Sequence, residues 1–547
     1  MVYASLLANR YLASRVIPLI AVLAVALNVA LVVIVVSVMT GFLDMLRSSG
    51  RTLMGDVVVT HEIVGIPDYE RFLEILDETP GVAAASPLIE TFGLVRMPYG
   101  RDGESRVEPV QVWAVDPRSL AEVTGFAEAV YWRAPTDEER SEMVEGDPRL
   151  DETFHRLDEA LAINDPDVDP GMVLGIEISP FNTRTRQGTY RPASDEAWMP
   201  LHDVTLSLVP VSSGGRISDL PREGRFRIAN EFHSKVYQVD SQRVMIGLAE
   251  GQRLLRMAAG PLYDPEGALD EAGRPLAIGE SPPRATTILV RGEDDLPPPE
   301  LKYAVSAAYD RFLAEQRGDP EVKVKPPSLV DIQTWEERLR DLIAPVEKER
   351  DLMNVLFSII YVVSAALVLS IFWAIVHEKT RDIGILRAVG ASRSGILWIF
   401  LQWGLVIGVI GACVGLGLGW LVVDNINAIH DAMGEAAPVW SVVVAGGLAA
   451  AALLATVVAA WRGSLLHGLI WSLATILLAA IAFGLSRHEG AVMWDPSVYY
   501  FDRIPSRVDL VRAGATMIGA VLFSILGAAI PAAKAADTDP VRALRYE

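Results

Sequence analysis

The chain has 547 residues, 51% of them hydrophobic, and a formal net charge of -21 at pH 7, two properties that coexist only when charge and apolar surface are segregated. Between Asp44 and Asp351 stand 57 acidic and 34 basic residues, so everything outside that region is slightly basic. An acidic region of this kind is repelled by nucleic acid and by anionic lipid, and a single cysteine, Cys413, excludes an intramolecular disulfide.

Residues 1–15 read as a cytoplasmic segment. Leu6, Leu7, Tyr11 and Leu12 interleave with Arg10 and Arg15, which fits either an amphipathic helix on the membrane face or a plain charged flank. Val16 to Met39 carries no charge and is too long for the apolar core of a cleaved signal peptide. It predicts an uncleaved first span over residues 16–43 with its N-terminus inside. Asn28 in this span suits a bond across a helix interface or, as a second reading, a substrate path.

Residues 44–351 change character to short β-branched runs broken by Gly and Pro, which predict strands at Asp56–Thr60, Val110–Val115, Val204–Val209 and Thr286–Val290. Helix candidates lie between them at Tyr69–Glu78, Leu157–Ala162, Leu248–Met257 and Leu301–Gln316. The reading is a mixed α+β domain, divided by its size into two lobes. The acidic, proline-containing stretch 135–170 reads as a solvated insertion.

Two further uncharged runs, 352–376 and 396–423, predict the second and third spans. The loop between them, 377–395, contains Glu378-Lys-Thr-Arg-Asp-Ile-Gly-Ile-Leu-Arg-Ala-Val-Gly-Ala-Ser-Arg393. Lys379, Arg381, Arg387 and Arg393 outnumber Glu378 and Asp382, which places this helix-prone segment in the cytoplasm as a docking surface. Gly404, Gly408, Gly411, Gly415 and Gly419 recur every three or four residues along the third span, a helix-packing face. Cys413 in the same run reads as a buried small hydrophobe.

Two more apolar stretches, Val442–Ala460 and Ser464–Leu485, form a predicted hairpin (442–485) turning at Trp461-Arg-Gly463. An outer loop (486–512), a last span (513–533) and a cytoplasmic tail (534–547) with Arg542 and Arg545 complete a chain of about six spans. There is no Gly-x-x-x-x-Gly-Lys-Ser/Thr loop, His-Glu-x-x-His, Cys-x-x-Cys or Gly-x-Ser-x-Gly, so no catalytic residue, metal ligand or bound cofactor is expected of this chain.

Glu378 to Ser392 resembles the Glu-Lys-x-x-Glu-Ile-Gly-Ile-Leu-Arg-Ala-Val-Gly-Ala-Ser segment of the permease subunits of type VII ABC transporters, the group of FtsX, MacB and the lipoprotein-releasing LolC and LolE. Asp382 stands where that family has Glu. The ending Asp539-Pro-Val-Arg-Ala-Leu-Arg-Tyr-Glu547 resembles the family's Asp-Pro-x-Glu-Ala-Leu-Arg-Tyr-Glu, with Arg542 replacing an acid. Ser37-Val-Met-Thr-Gly-Phe42, Gly81-Val with Pro87, Asp116-Pro, Gly247-Leu-x-x-x-Gln252 and Thr334-Trp-Glu with Glu347-Lys348 are most similar to the lipoprotein-releasing branch.

The resemblance implies a multi-pass α-helical protein of the bacterial inner membrane with a large MacB/LolC-like periplasmic domain. It implies that 377–395 forms a coupling helix seated in a groove of a separate ABC ATPase dimer, which alone binds ATP and Mg. Glu378, Arg381, Asp382, Ile383, Gly384, Leu386, Arg387, Val389 and Gly390 would carry the coupling: Arg381, Asp382 and Arg387 by charged hydrogen bonds, Ile383, Leu386 and Val389 by burial in the partner. A second permease copy or paralogue, a periplasmic carrier and lipoprotein substrates are the other implied partners. Lipoprotein release is the leading implied function, with MacB-like efflux or mechanotransmission and FtsX-like regulation of a cell-wall hydrolase as alternatives. The hairpin 442–485 and the insertion 135–170 depart from the family's pattern.

Overall fold

The computed structural model describes residues 16–97, 105–143, 147–150, 170–185, 189–194, 202–210, 220–263, 276–319, 322–434, 439–461, 465–487 and 503–539. The segment 1–15, the helix candidate Leu157–Ala162, most of the acidic insertion, Arg462 and the tail arginines Arg542 and Arg545 lie outside these residues. The chain divides into two compact units, one holding residues up to Phe42 and those from Lys348 onward, the other spanning Leu43–Glu347.

The first unit is helical. Among the described residues, five helices are long and apolar enough to cross a membrane: α1 (Val16–Met54), α6 (Arg340–Glu378), α8 (Arg393–Asp424), α9 (Val439–Trp461) and α11 (Leu510–Ala536). A further apolar helix, α10 (Leu465–Ser486), pairs with α9 as the predicted hairpin, and its apolar described stretch, Trp471–Ser486, is shorter than the others. In α9, Ala445, Ala449, Ala452 and Ala459 are buried, and the Thr456 and Thr475 hydroxyls meet at 3.4 Å between the two helices. Helices α1 and α6 have 39 residues each, about 58 Å at 1.5 Å per residue, well beyond the ~30 Å of hydrocarbon.

From the sequence the first span is expected to end at residue 43 and the second to start at 352; the helices extend beyond both limits, to Met54 and back to Arg340. The cause is apolar burial outside the uncharged runs. Leu43 packs with Trp335, Ile343, Leu339 and Val346, and Gly50 lies so close to Trp335 and Leu339 that a side chain there would collide with them. Arg47 and Glu347 close the same contact at 3.0 Å.

The second unit is built on one sheet of nine strands: β1 (Val57–Thr60), β2 (Val82–Met97), β3 (Arg106–Val115), β4 (Gly171–Gly175), β5 (Asp203–Leu208), β6 (Arg222–Phe232), β7 (Arg243–Gly247), β8 (Thr287–Gly292) and β9 (Asp331–Thr334). Their order is β9-β1-β8-β2-β3-β7-β4-β6-β5, and β5 pairs back onto β2. Six strands, β2-β3-β7-β4-β6-β5, therefore close a ring, and closure leaves no free edge on that side. The 16-residue length of β2 makes this possible: Val82–Leu88 pair with β8, and Gly93–Arg96 pair with β5. Gly93 sits at the crossing, where a Cβ would lie 2.9 Å from the Ser207 carbonyl oxygen.

Val95, Val112, Met172, Leu206, Phe226 and Ile246 from the ring strands belong to the same hydrophobic cluster as α2 (Tyr69–Asp77) and α5 (Pro298–Gly318). Phe72 of α2 meets Tyr309 and Phe312 of α5 at ring distances of 5.2 and 5.3 Å, and full burial of such a ring is worth about 1.5–3 kcal/mol. A second cluster holds Val58, Leu88, Trp113 and Leu289 against Leu120 and Val123 of α3 (Pro117–Val123). Asp116 caps α3 by accepting from the Ser119 N–H. α4 (Leu248–Leu255) follows β7 directly. Where the sequence suggests two lobes, the described residues share one nine-stranded sheet, because β2 serves both the open part and the ring.

Candidate functional site

The charged loop between α6 and α8 folds as a short helix, α7 (Thr380–Ala388). The Thr380 hydroxyl donates to the Val376 and His377 carbonyls at 3.0 and 2.9 Å, turning the chain at the end of α6. Lys379 pairs with Asp382 at 2.8 Å across the first turn. The other end is a paired-hydrogen-bond stop: the Ala391 N–H donates to the Leu386 carbonyl and the Gly390 N–H to that of Arg387, with Gly390 at φ 104°. This geometry favours glycine. Ser392 then caps α8 by accepting from the Gly395 N–H at 3.1 Å.

α7 has two faces. Ile383 is 3% exposed and joins the cluster of Phe372, Ile396, Phe400 and Ala532 from α6, α8 and α11, and Gly384 is buried with it. Ile383 therefore holds α7 to its own bundle, where the sequence led to the expectation that it buries into a partner. Opposite them, Asp382, Ile385, Leu386 and Val389 follow the i, i+3, i+4, i+7 spacing of one helix face, with Leu386 and Val389 40% and 84% exposed. Arg381 is exposed beside them, and Glu378 is exposed at the last residue of α6. Arg387 is half-buried, and its Nε has no hydrogen-bond partner among the described residues. Ile385, 46% exposed, is the face residue that the sequence reading omits; counting three on from Asp382 finds it.

The five regularly spaced glycines of α8, Gly404, Gly408, Gly411, Gly415 and Gly419, are all buried, and they serve two neighbours. A Cβ at Gly404 would lie 2.7 Å from the Ala528 Cβ, and one at Gly408 3.0 Å from the Ser524 Cβ, both on α11. The Ser524 hydroxyl donates to the Gly404 carbonyl at 2.9 Å. Gly411, Gly415 and Gly419 turn instead to α1, against Val25, Ala26 and Val33. On α11, Gly527 approaches the Ala365 carbonyl of α6, 2.5 Å from a would-be Cβ. Small residues thus join α1, α8, α11 and α6 in series at backbone distance, as membrane helices do without a hydrophobic drive between them. Asn28 is half-buried on α1. Cys413, expected to be buried, is exposed, since it falls on the side of α8 away from the glycines.

Among the described residues, no three His, Cys, Asp or Glu side chains come together as a metal ion would need. The site offers an apolar strip with charged margins on a helix anchored from behind, a shape suited to binding and not to bond chemistry.

Comparison with known proteins matches residues 354–466 to the FtsX-like permease C-terminal domain and residues 19–253 to the MacB-like periplasmic core domain. The chain is 20% identical to the lipoprotein-releasing system transmembrane protein LolC of Xylella fastidiosa over 533 residues, 96% of this chain and 93% of the relative. It is 22% identical to LolC of Neisseria meningitidis over 539 residues, 97% and 94% of the two chains. LolE of Haemophilus influenzae is 20% identical over 218 residues, 40% of each. The first domain match takes in α7 and α8 and stops short of α11, the helix that packs most extensively on α8.

Proposed function

We infer that this chain, a multi-pass ABC transporter permease of the FtsX, MacB and LolC/LolE type, couples ATP hydrolysis on a separate ATPase subunit to work done by its 43–347 domain, and that the work is release of lipoproteins from the inner membrane. The observation that carries the coupling is α7: Ile385, Leu386 and Val389 stay exposed on a helix whose opposite side is fixed by Ile383. An apolar strip on a rigid, immobilised element is the arrangement in which a partner gains affinity without ordering costs. Arg381 and Asp382 set orientation at its margin.

In this reading ATP and Mg bind the partner, a second permease copy or paralogue completes the transporter, and the 43–347 domain faces the periplasm, where a carrier receives the cargo. Near-full-length similarity to LolC proteins supports the lipoprotein cargo. The test is affinity purification of the full chain from its native membrane in mild detergent, with identification of everything retained. An ATPase together with acylated proteins is the expected result. An ATPase with an outer-membrane channel or a cell-wall hydrolase would replace the cargo assignment by efflux or regulation, and recovery without any ATPase would overturn the coupling.

A further inference from the structure

A chain of polar side chains crosses three adjacent strands of the 43–347 unit. Arg338 lies in the helical turn Trp335–Arg338, directly before α6, and donates from Nη2 to Glu90 Oε2 at 2.9 Å. Glu90 on β2 also accepts, at Oε1, from Nε2 of Gln111 on β3. Gln111 Oε1 in turn accepts from Nε and Nη2 of Arg243 on β7, at 3.2 and 3.1 Å. Strand register makes the line continuous, since Gln111 pairs with Arg243 and Glu90 pairs with Trp113.

Arg243 is only 4% exposed. Its guanidinium carbon sits 3.7 Å from the centroid of the Trp113 ring, and its Nη1 has no hydrogen-bond partner among the described residues. Burial draws its pKa down to about 10, opposed by the charges of Glu90 and Asp240, with Arg338 adding to the lowering. A buried cation hydrogen-bonded to a neutral amide depends on a nearby carboxylate. Glu90 therefore serves two cations at once, one at the origin of α6 and one within the ring of strands.

We propose that Glu90 is a positioning residue that carries displacement of the Trp335–Arg338 turn to β7, so that movement where α6 begins reshapes the ring β2-β3-β7-β4-β6-β5. This rests on the reading of the chain as a permease driven by a separate ATPase. Charged hydrogen bonds are short and directional, so a shift of Arg338 draws Glu90 with it, whereas apolar neighbours can slide.

The experiment is hydrogen exchange on the full-length chain with its ATPase subunit in lipid nanodiscs, with and without a non-hydrolysable ATP analogue. In the wild type, nucleotide is expected to alter exchange both at 335–343 and at 243–255. Glu90→Gln is expected to keep the ATPase bound and the change at 335–343 while losing the change at 243–255. Arg338→Gln leaves Glu90, Gln111 and Arg243 in place, so it keeps the fold if Glu90→Gln does not, and is expected to show the same loss. A full response at 243–255 in a folded variant, or none in the wild type with its ATPase bound, overturns the relay. Failure of the wild type to hold an ATPase is a separate result, which overturns the permease reading and the relay with it.

Discussion

The carbonyl oxygen of Ala26 occupies the space into which a side chain at Gly415 would project. Backbone cannot yield as a flexible side chain does, so α1 and α8 would have to part to admit even a methyl group. Gly415→Leu is expected to destabilise the protein by about 1–3 kcal/mol, read as a lowered Tm in detergent. At Gly417, two residues on, a Cβ would meet nothing within 4 Å, and Gly417→Leu should leave Tm nearly unchanged. Equal shifts in the two variants would dissolve the claim that the face matters.

The two faces of α7 separate docking from folding. Val389→Asp and Leu386→Asp place a charge on the exposed strip and should weaken ATPase association by at least about 30-fold, some 2 kcal/mol for a hot-spot residue, without moving Tm. Gly384→Arg forces a charged side chain behind the helix, where Gly384 is buried, so it should lower Tm as well as association. Titration of the ATPase against each variant, paired with a melting curve, distinguishes these; normal association in Val389→Asp would sink the docking face.

Glu231 is 1% exposed, and its Oε2 accepts from Trp132 Nε1 at 2.8 Å and Asn182 Nδ2 at 3.0 Å. Burial raises its pKa above the usual 4.5, with hydrogen bonds from Ser179, Trp132 and Asn182 opposing. The unfolded chain then ionises first as pH rises. This contribution to stability is complete below the usual value and is lost as pH climbs through the raised one. Glu231→Gln keeps an acceptor oxygen and cannot ionise. Its Tm should fall less than that of the wild type between about pH 5 and pH 9, and parallel profiles would remove Glu231 as the group responsible.

Glu139 has the opposite sign. Hydrogen bonds from Arg133, at 2.7 and 2.9 Å, lower its pKa to about 2, burial opposing and the Thr136 N–H adding to the lowering. Its contribution is present above the usual 4.5 and fades as pH falls from there toward 2. The side chain is 36% exposed, so solvent screening keeps the effect modest. Glu139→Gln is expected to flatten the acid limb of the Tm profile and leave the alkaline limb alone; an unchanged acid limb would mean the pair adds nothing to stability.

Local pattern reveals the elements and not their partners. The run Val57–Thr60 and the helix Tyr69–Asp77 are visible as a β-branched stretch and a helical apolar period. Closure of β5 onto β2 is not, because nothing near Leu94 indicates that Ser207 will pair with it. In α7 the period shows that Ile383 and Ile385 point different ways, yet which way faces the bundle depends on residues of other helices, Ala532 among them, far off in sequence. The α8 glycines announce close packing, while their division between α1 and α11 follows from where those helices run. Glu231 belongs to no motif, and its environment is assembled from Trp132, Ser179 and Asn182 only on folding.

The placement of β1 in the sheet has a consequence for how the protein is made. Val57–Thr60 pair with Thr287–Val290 on one side and with Asp331–Thr334 on the other, so a strand synthesised near the start of the domain waits for partners more than two hundred residues later. At 5–20 residues per second that wait is on the order of tens of seconds. Throughout it, three consecutive valines, Val57 to Val59, stand without their sheet partners on the nascent chain, an apolar β-prone run open to association with any other unpaired strand.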